Sequence, residues 1–151
     1  MSTELNKMAK DPADAFGFVI ERTAKRMKQY YQKMLRDANI GITVDQWILL
    51  KAIHQNDGSS QFEIASSTFK DAPTVTRILD LLSNKKLIER VADPSDRRRY
   101  NIKITKQGKK QVEEILPVVK SFRAKSWNGL TKKQLAEMTK LLNKVFDNLE
   151  K

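Results

Sequence analysis

The chain has no cysteine and a single histidine among 151 residues. Disulfides, cysteine-based zinc sites and thiol redox switches are excluded together. With one histidine, most metal and nucleophile constellations go too, and five glycines supply no glycine-rich phosphate loop. The reading is therefore not an enzyme, with no cofactor and no metal. No apolar run approaches the roughly 18 residues that a membrane span requires. The opening MSTELNKMAKDPAD is polar and carries acidic residues, unlike a secretory signal, so the expected setting is the cytoplasm, away from the membrane.

Positive charge is what the chain has in excess. The formal net charge is +11, with 40% hydrophobic residues to build a core. Such a surplus repels itself unless a polyanion offsets it, which points to nucleic acid or an anionic membrane surface. The excess is concentrated. Between Lys70 and Lys110 twelve Lys or Arg face five Asp or Glu, a surplus of seven in little more than a quarter of the chain. A solvated basic face needs no such clustering, whereas cations that displace condensed counterions from phosphates do.

Helical periodicity dominates the pattern. Phe16, Ile20, Met27, Tyr31, Met34 and Ala38 recur at helical spacings and predict a long first helix from Ala13 to about Ala38. TVDQ (Thr43 to Gln46) is a capping box opening a second helix with Trp47, Leu50 and Ile53 inward. Ser60 and Glu63 repeat the device before a short third helix. Asp71 is the expected N-cap of a fourth, with Pro73 tolerated in its first turn and Val75, Ile78 or Leu79, and Leu82 toward the core. The period then changes. LIERVAD and RRYNIKIT predict two short strands about a DPSD turn, with Tyr100, Ile102 and Ile104 on one face. A fifth helix starts near Thr105, and Pro117 within it predicts a kink or a local break. A third capping box, Thr131 with Gln134, opens a last helix whose Leu135, Met138, Leu142, Val145 and Leu149 step by three and four.

Two short helices joined by a tight turn, then a two-stranded hairpin, make a winged helix-turn-helix, in which the second helix of the pair enters a major groove. The fold class is mainly α with a small β-hairpin wing, plus a helical dimerisation region. Residues 43–104 are the expected DNA-binding domain, and 1–42 with 105–151 the dimerisation region, because both terminal helices carry apolar stripes surplus to the reading module. On the expected recognition helix, Thr74, Thr76, Arg77 and Asp80 lie off the core face. Threonine hydroxyls suit phosphates and their methyls suit thymine; Arg77 suits the O6 and N7 of guanine, or else a phosphate or Asp80. At the hairpin tip, Arg97, Arg98 and Arg99 stand behind DPSD. One long, weakly hydrated arginine fits a narrow minor groove. Asp96, two residues before Arg98, is expected to hold its guanidinium or the turn, with Arg97, Arg99 and Lys103 available to phosphates.

The segment DAPTVTRILDLLSNKKLIERVADPSDRRRYNIKITKQGKK resembles the MarR family of bacterial transcriptional regulators. The likeness rests on TVTR, LIER, DPSDRR and ITKQG, the last similar to the family's Leu-Thr-x-x-Gly. The resemblance implies a homodimer on a pseudo-palindromic operator, a repressor, Arg98 in the minor groove, and in many members a ligand between the lobes. Lys86 departs from it, standing where the family usually has a glycine of positive φ. Candidate ligand contacts are Arg26, Tyr30, Trp47, Lys51 and His54, a cationic and aromatic set suited to a small phenolic or aromatic carboxylate. Against that, Trp47 reads as core and His54 as a helix-end residue. Two rival functions stand beside the regulator: a non-specific nucleoid-type or RNA-binding module, and a helical interaction protein whose hairpin is incidental.

Overall fold

The computed structural model describes residues 11–150; residues 1–10, where most of the polar N-terminal stretch falls, and Lys151 lie outside the described residues. In chain order come α1 (Pro12–Asp37), α2 (Val44–Gln55), β1 (Ser59–Ser60), α3 (Gln61–Thr68), α4 (Ala72–Asn84), β2 (Ile88–Ala92), β3 (Tyr100–Ile104), α5 (Lys106–Ser126) and α6 (Lys132–Asn148). Two compact units divide within α5, the first ending at Val118 and the second beginning at Val119.

Local chemistry sets the helix boundaries. All three expected capping boxes form: Thr43 with Gln46, Ser60 with Glu63, and Thr131 with Gln134. Asp71 caps α4, accepting from the Thr74 amide at 2.8 Å. Thr105 opens α5 by accepting from the Gly108 amide at 3.0 Å. Three helices close with paired bonds around a residue of positive φ. Around Lys86 (φ 60°), its own amide reaches Ser83 O and the Leu87 amide reaches Leu82 O. Asn39 (φ 57°) and Phe69 (φ 51°) sit in the same arrangement. None is glycine, so each carries left-handed strain of about 1 kcal/mol.

Within the first unit, Leu35, Leu49, Leu50, Ile53, Ile64, Val75, Ile78, Leu79, Leu82, Ile102 and Ile115 are the fully buried side chains. They bring α1, α2, the α3–α4 pair, the sheet and α5 onto one core. The α1 stripe departs from its periodicity. Tyr31 and Leu35 are buried, whereas Phe16 is 47% exposed and Ala38 is also at the surface.

The sheet has three strands where the sequence predicts two. The order is β1-β3-β2, antiparallel throughout, with Arg90 opposite Ile102 and Ser59 on its other side. Two residues cannot show an alternation, so β1 is visible only through its pairing. Nor is α5 interrupted: it runs on through Pro117. Pro117 and Glu113 are both exposed, so solvent can take the carbonyl that the missing N–H leaves. Gly108 is required by packing, because a Cβ there would lie 2.1 Å from Leu87 O and 2.7 Å from Ile104 Cγ1. The first turn of α5 thus lies directly on the entry to β2, and the Thr105 hydroxyl fastens it with a 2.7 Å bond to Lys86 O.

Within the second unit, α6 has no buried residue. Met138, Leu141, Leu142, Val145, Phe146 and Leu149 are all exposed.

Candidate nucleic-acid interface

The helix pair α3–α4 and the hairpin β2–β3 carry the candidate interface. Only Phe69, Lys70 and Asp71 separate α3 from α4. Helix α4 buries Val75, Ile78, Leu79 and Leu82, so both alternatives at its middle turn face the core. Its opposite face exposes Thr76, Arg77, Asp80 and Leu81, with Thr74 half-buried.

Asp80 is engaged with Arg90 of β2, at 2.6 Å. That pair ties the middle of α4 to the wing, and it removes Asp80 as a partner for Arg77. Arg77 is exposed and makes no ion pair or hydrogen bond among the described residues. Lys85, at the other end of α4, donates to Gln46 Oε1 at 3.0 Å and to Gly41 O. The turn between the helices is held from α2: Asp45 accepts from Lys70 at 3.1 Å and from Lys28 of α1 at 2.8 Å. Burial alone would raise the Asp45 carboxyl, but the two lysine hydrogen bonds outweigh it and hold the group below its ordinary value. The Val44 amide donates to Gln32 Oε1 of α1 at 3.0 Å. Side chains one turn apart on α1 therefore grip the first turn of α2.

The wing tip is organised by backbone. Asp96 accepts from the Arg98 amide at 3.0 Å, so it holds the turn and not the guanidinium. Asp93 accepts from both the amide and hydroxyl of Ser95, at 2.8 and 2.6 Å, and these bonds lower its carboxyl. The Asp93 amide donates to Arg99 O, and the Arg99 amide to Asp96 O. Each of these bonds fixes the peptide path and leaves the guanidinium groups alone. Arg97, Arg98 and Arg99 are exposed, and their guanidiniums have no partner among the described residues. Lys103 is exposed on β3. The arrangement can do one thing well: present several unneutralised cations from a rigid turn beside an exposed polar helix face.

The ligand candidates scatter by environment. Trp47 is buried in the core and His54 is exposed near the end of α2. Lys51 is half-buried on α2, while Arg26 and Tyr30 are exposed on α1. A shallow depression on α1 is lined by Lys25, Lys28, Gln29, Gln32 and Arg36, none of them among the five. Sequence reasoning missed Gln61, whose amide reaches Thr76 on α4, and the Asp80–Arg90 pair. Both join residues on separate elements, and no local pattern announces either.

Comparison with known proteins points to one family. The family model described as MarR family matches residues 40–99, from the loop before α2 to the last wing arginine. Over those residues the chain is similar to the MarR family. It is 28% identical over 131 residues to the HTH-type transcriptional repressor IacR of Pseudomonas putida, covering 87% of this chain and 77% of that protein. Among solved structures, the MepR–DNA complex of S. aureus is similar at TM-score 0.80 and 29% identity, covering 89% of this chain and 98% of that one. A cysteine-to-serine mutant of MarR from E. coli, complexed with operator DNA, is similar at TM-score 0.80 and 25% identity, covering 85% and 91%. The likeness is to DNA-binding transcriptional regulators of winged-helix fold, not to enzymes. Among the described residues no helix is long and apolar enough to cross a membrane.

Proposed function

We propose that the protein is a cytoplasmic repressor that binds a pseudo-palindromic operator as a homodimer. Helix α4 enters the major groove of each half-site, and Arg98 enters the flanking minor groove. Arg97, Arg99 and Lys103 meet phosphates, and Arg77 donates to a guanine edge. The observation that carries this reading is the wing tip: three exposed guanidiniums without internal partners stand on a turn whose backbone is fixed by Asp93 and Asp96. A tip built only for solubility needs no such fixing, whereas a groove-entering arginine gains from it, because less entropy is lost on docking.

The dimerisation region is assigned to 1–42 and 105–151. The exposed apolar residues of α6, together with Phe16 and Phe18 on α1, favour a second copy as their cover. The half-sites then lie about one helical turn apart, roughly 10 bp. Release by a small aromatic or phenolic effector at Arg26, Tyr30, Trp47, Lys51 and His54 belongs to the same reading through the family likeness. A screen of aromatic acids against the operator complex tests that step, and unchanged operator affinity throughout would remove it.

The test of the interface uses a duplex selected from random sequence by the protein itself. Arg98→Ala should weaken binding by about 10- to 100-fold, as befits a charge-assisted contact. Arg77→Ala should relax preference at one base pair per half-site, by about 1–3 kcal/mol. Wild-type affinity in the Arg98 variant would remove the wing from the interface, and an unaltered base preference in the Arg77 variant would remove the guanine contact.

A further inference from the structure

Thr76 lies on the exposed face of α4, yet its hydroxyl is already used inside the protein. Its oxygen is 3.0 Å from Ala72 O, one turn back. A carbonyl oxygen only accepts, so the single hydroxyl proton of Thr76 goes there. The same oxygen is 2.5 Å from Nε2 of Gln61, the first residue of α3. With the threonine proton spent on Ala72, Gln61 must be the donor in that pair. The hydroxyl has therefore given its proton and filled one lone pair. It has no hydrogen left for a phosphate oxygen or for an acceptor on a base edge.

Thr74 is committed similarly, since its hydroxyl donates to Asp71 Oδ2 at 2.9 Å. Thr74 is half-buried, however, and Thr76 is exposed. With the Thr76 hydroxyl turned back onto Ala72 and held by Gln61, the γ-methyl is the part of this side chain left for a groove. Only thymine presents a methyl group in the major groove, at C5.

We infer that Thr76 reads a thymine methyl in each half-site, and that Gln61 is the positioning residue that sets the rotamer in which it does so. The inference rests on the proposed placement of α4 in the major groove. It assigns the residue to apolar contact and removes it from the phosphate-binding set. It also gives α3, which otherwise supports the turn, a direct influence on base preference. Gln61 has no second side-chain partner among the described residues, so its amide oxygen and remaining N–H stay available.

The experiment replaces thymine by uracil, which removes only the methyl, at each thymine of the selected duplex in turn. Affinities are measured for wild type and three variants. A buried methyl contact is worth roughly 0.8 kcal/mol, about fourfold. Wild type should lose about fourfold at one thymine per half-site. Thr76→Val discards the hydroxyl, but its two methyls are held at one preferred χ1 by the helix itself, so it should retain that sensitivity without needing Gln61. Thr76→Ser keeps the hydroxyl and discards the methyl, so it should bind thymine and uracil alike there. Gln61→Ala should reduce the thymine-to-uracil ratio at that position and leave the ratios elsewhere unchanged.

Several results would overturn the inference: no uracil-sensitive thymine, undiminished sensitivity in Thr76→Ser, or a Gln61→Ala variant that weakens every duplex equally without altering the ratio. The last would make Gln61 a phosphate contact. If wild type selects a sequence but ignores uracil, the methyl reader fails and the operator reading survives. If wild type selects no sequence, both fall together.

Discussion

The two units of the chain spend their apolar residues differently. Every buried residue among those described lies at or before Val118. In that unit the reading helix α4 has four buried side chains and stands on α2, α3 and the sheet. Beyond Val119, α6 carries five large apolar side chains that are each at least 38% exposed, and Leu149 at its C-cap is more exposed still. Helix α6 is as amphipathic as α4 in sequence, so the difference is one of partners. The first unit closes its core within one chain, whereas the proposed function has the stripe on α6 covered by a second copy. Perturbations of the two should therefore appear in different assays, the first in folding and the second in assembly.

The largest effect should come from the core of the reading unit. Leu82→Ala, at a fully buried position of α4, should destabilise by about 2–5 kcal/mol in urea unfolding. An effect below about 1 kcal/mol would mean that α4 is not anchored as described. Val145→Glu on α6 should instead act on association. Placing an unpaired carboxylate in an apolar interface should weaken the dimer by about 3 kcal/mol or more, some 100-fold, in sedimentation equilibrium. Unchanged association would show that α6 is covered by something other than a second copy.

A smaller effect probes the end of α4. Lys86 has φ 60°, the left-handed conformation expected from the glycine usual at that place in the family. Lys86→Gly should raise stability by about 0.5–1 kcal/mol, read as a higher denaturation midpoint at constant slope. A lower midpoint would mean that the lysine side chain contributes more than its backbone strain costs.

The smallest effect concerns the strut from α1 through Asp45 to Lys70. The Asp45 carboxyl lies below its ordinary 3.8 in the folded chain. A depressed carboxylate adds stability that is present above about pH 4 and is lost as pH falls through the folded value. Its side chain is one-third exposed, so screening limits the contribution to about 0.5 kcal/mol. Asp45→Asn should lower stability by that amount at pH 7 and by nothing near pH 2. An equal loss at both would assign the effect to packing.

What was legible in the sequence was local. The capping boxes at Thr43, Ser60 and Thr131 are four-residue patterns that determine their own geometry, and each forms. The wing and the concentration of charge around it are contiguous, so both could be read directly. Asp96 was expected to hold either the Arg98 guanidinium or the turn; it holds the turn through the Arg98 amide, a choice between two nearby donors that spacing alone does not make. What was hidden joins distant positions. Gln61 meets Thr76 fifteen residues on, Asp80 meets Arg90 ten residues on, and Lys85 reaches back to Gly41. None of these residues is unusual alone. Their meeting follows from how α3, α4 and the strands pack. Strand β1 was hidden for the same reason, since two serines form a strand only because β3 lies alongside.

The most direct test of the central claim is a selection from random duplex DNA by the wild-type protein, followed by titration of the winning duplex and a scrambled one across several salt concentrations. The account predicts an enriched palindrome with half-sites about 10 bp apart, bound at least about 1,000-fold more tightly than the scrambled duplex at physiological salt. No enrichment, with equal affinities that fall steeply with salt, would contradict it: the three wing arginines would then hold phosphates without regard to sequence.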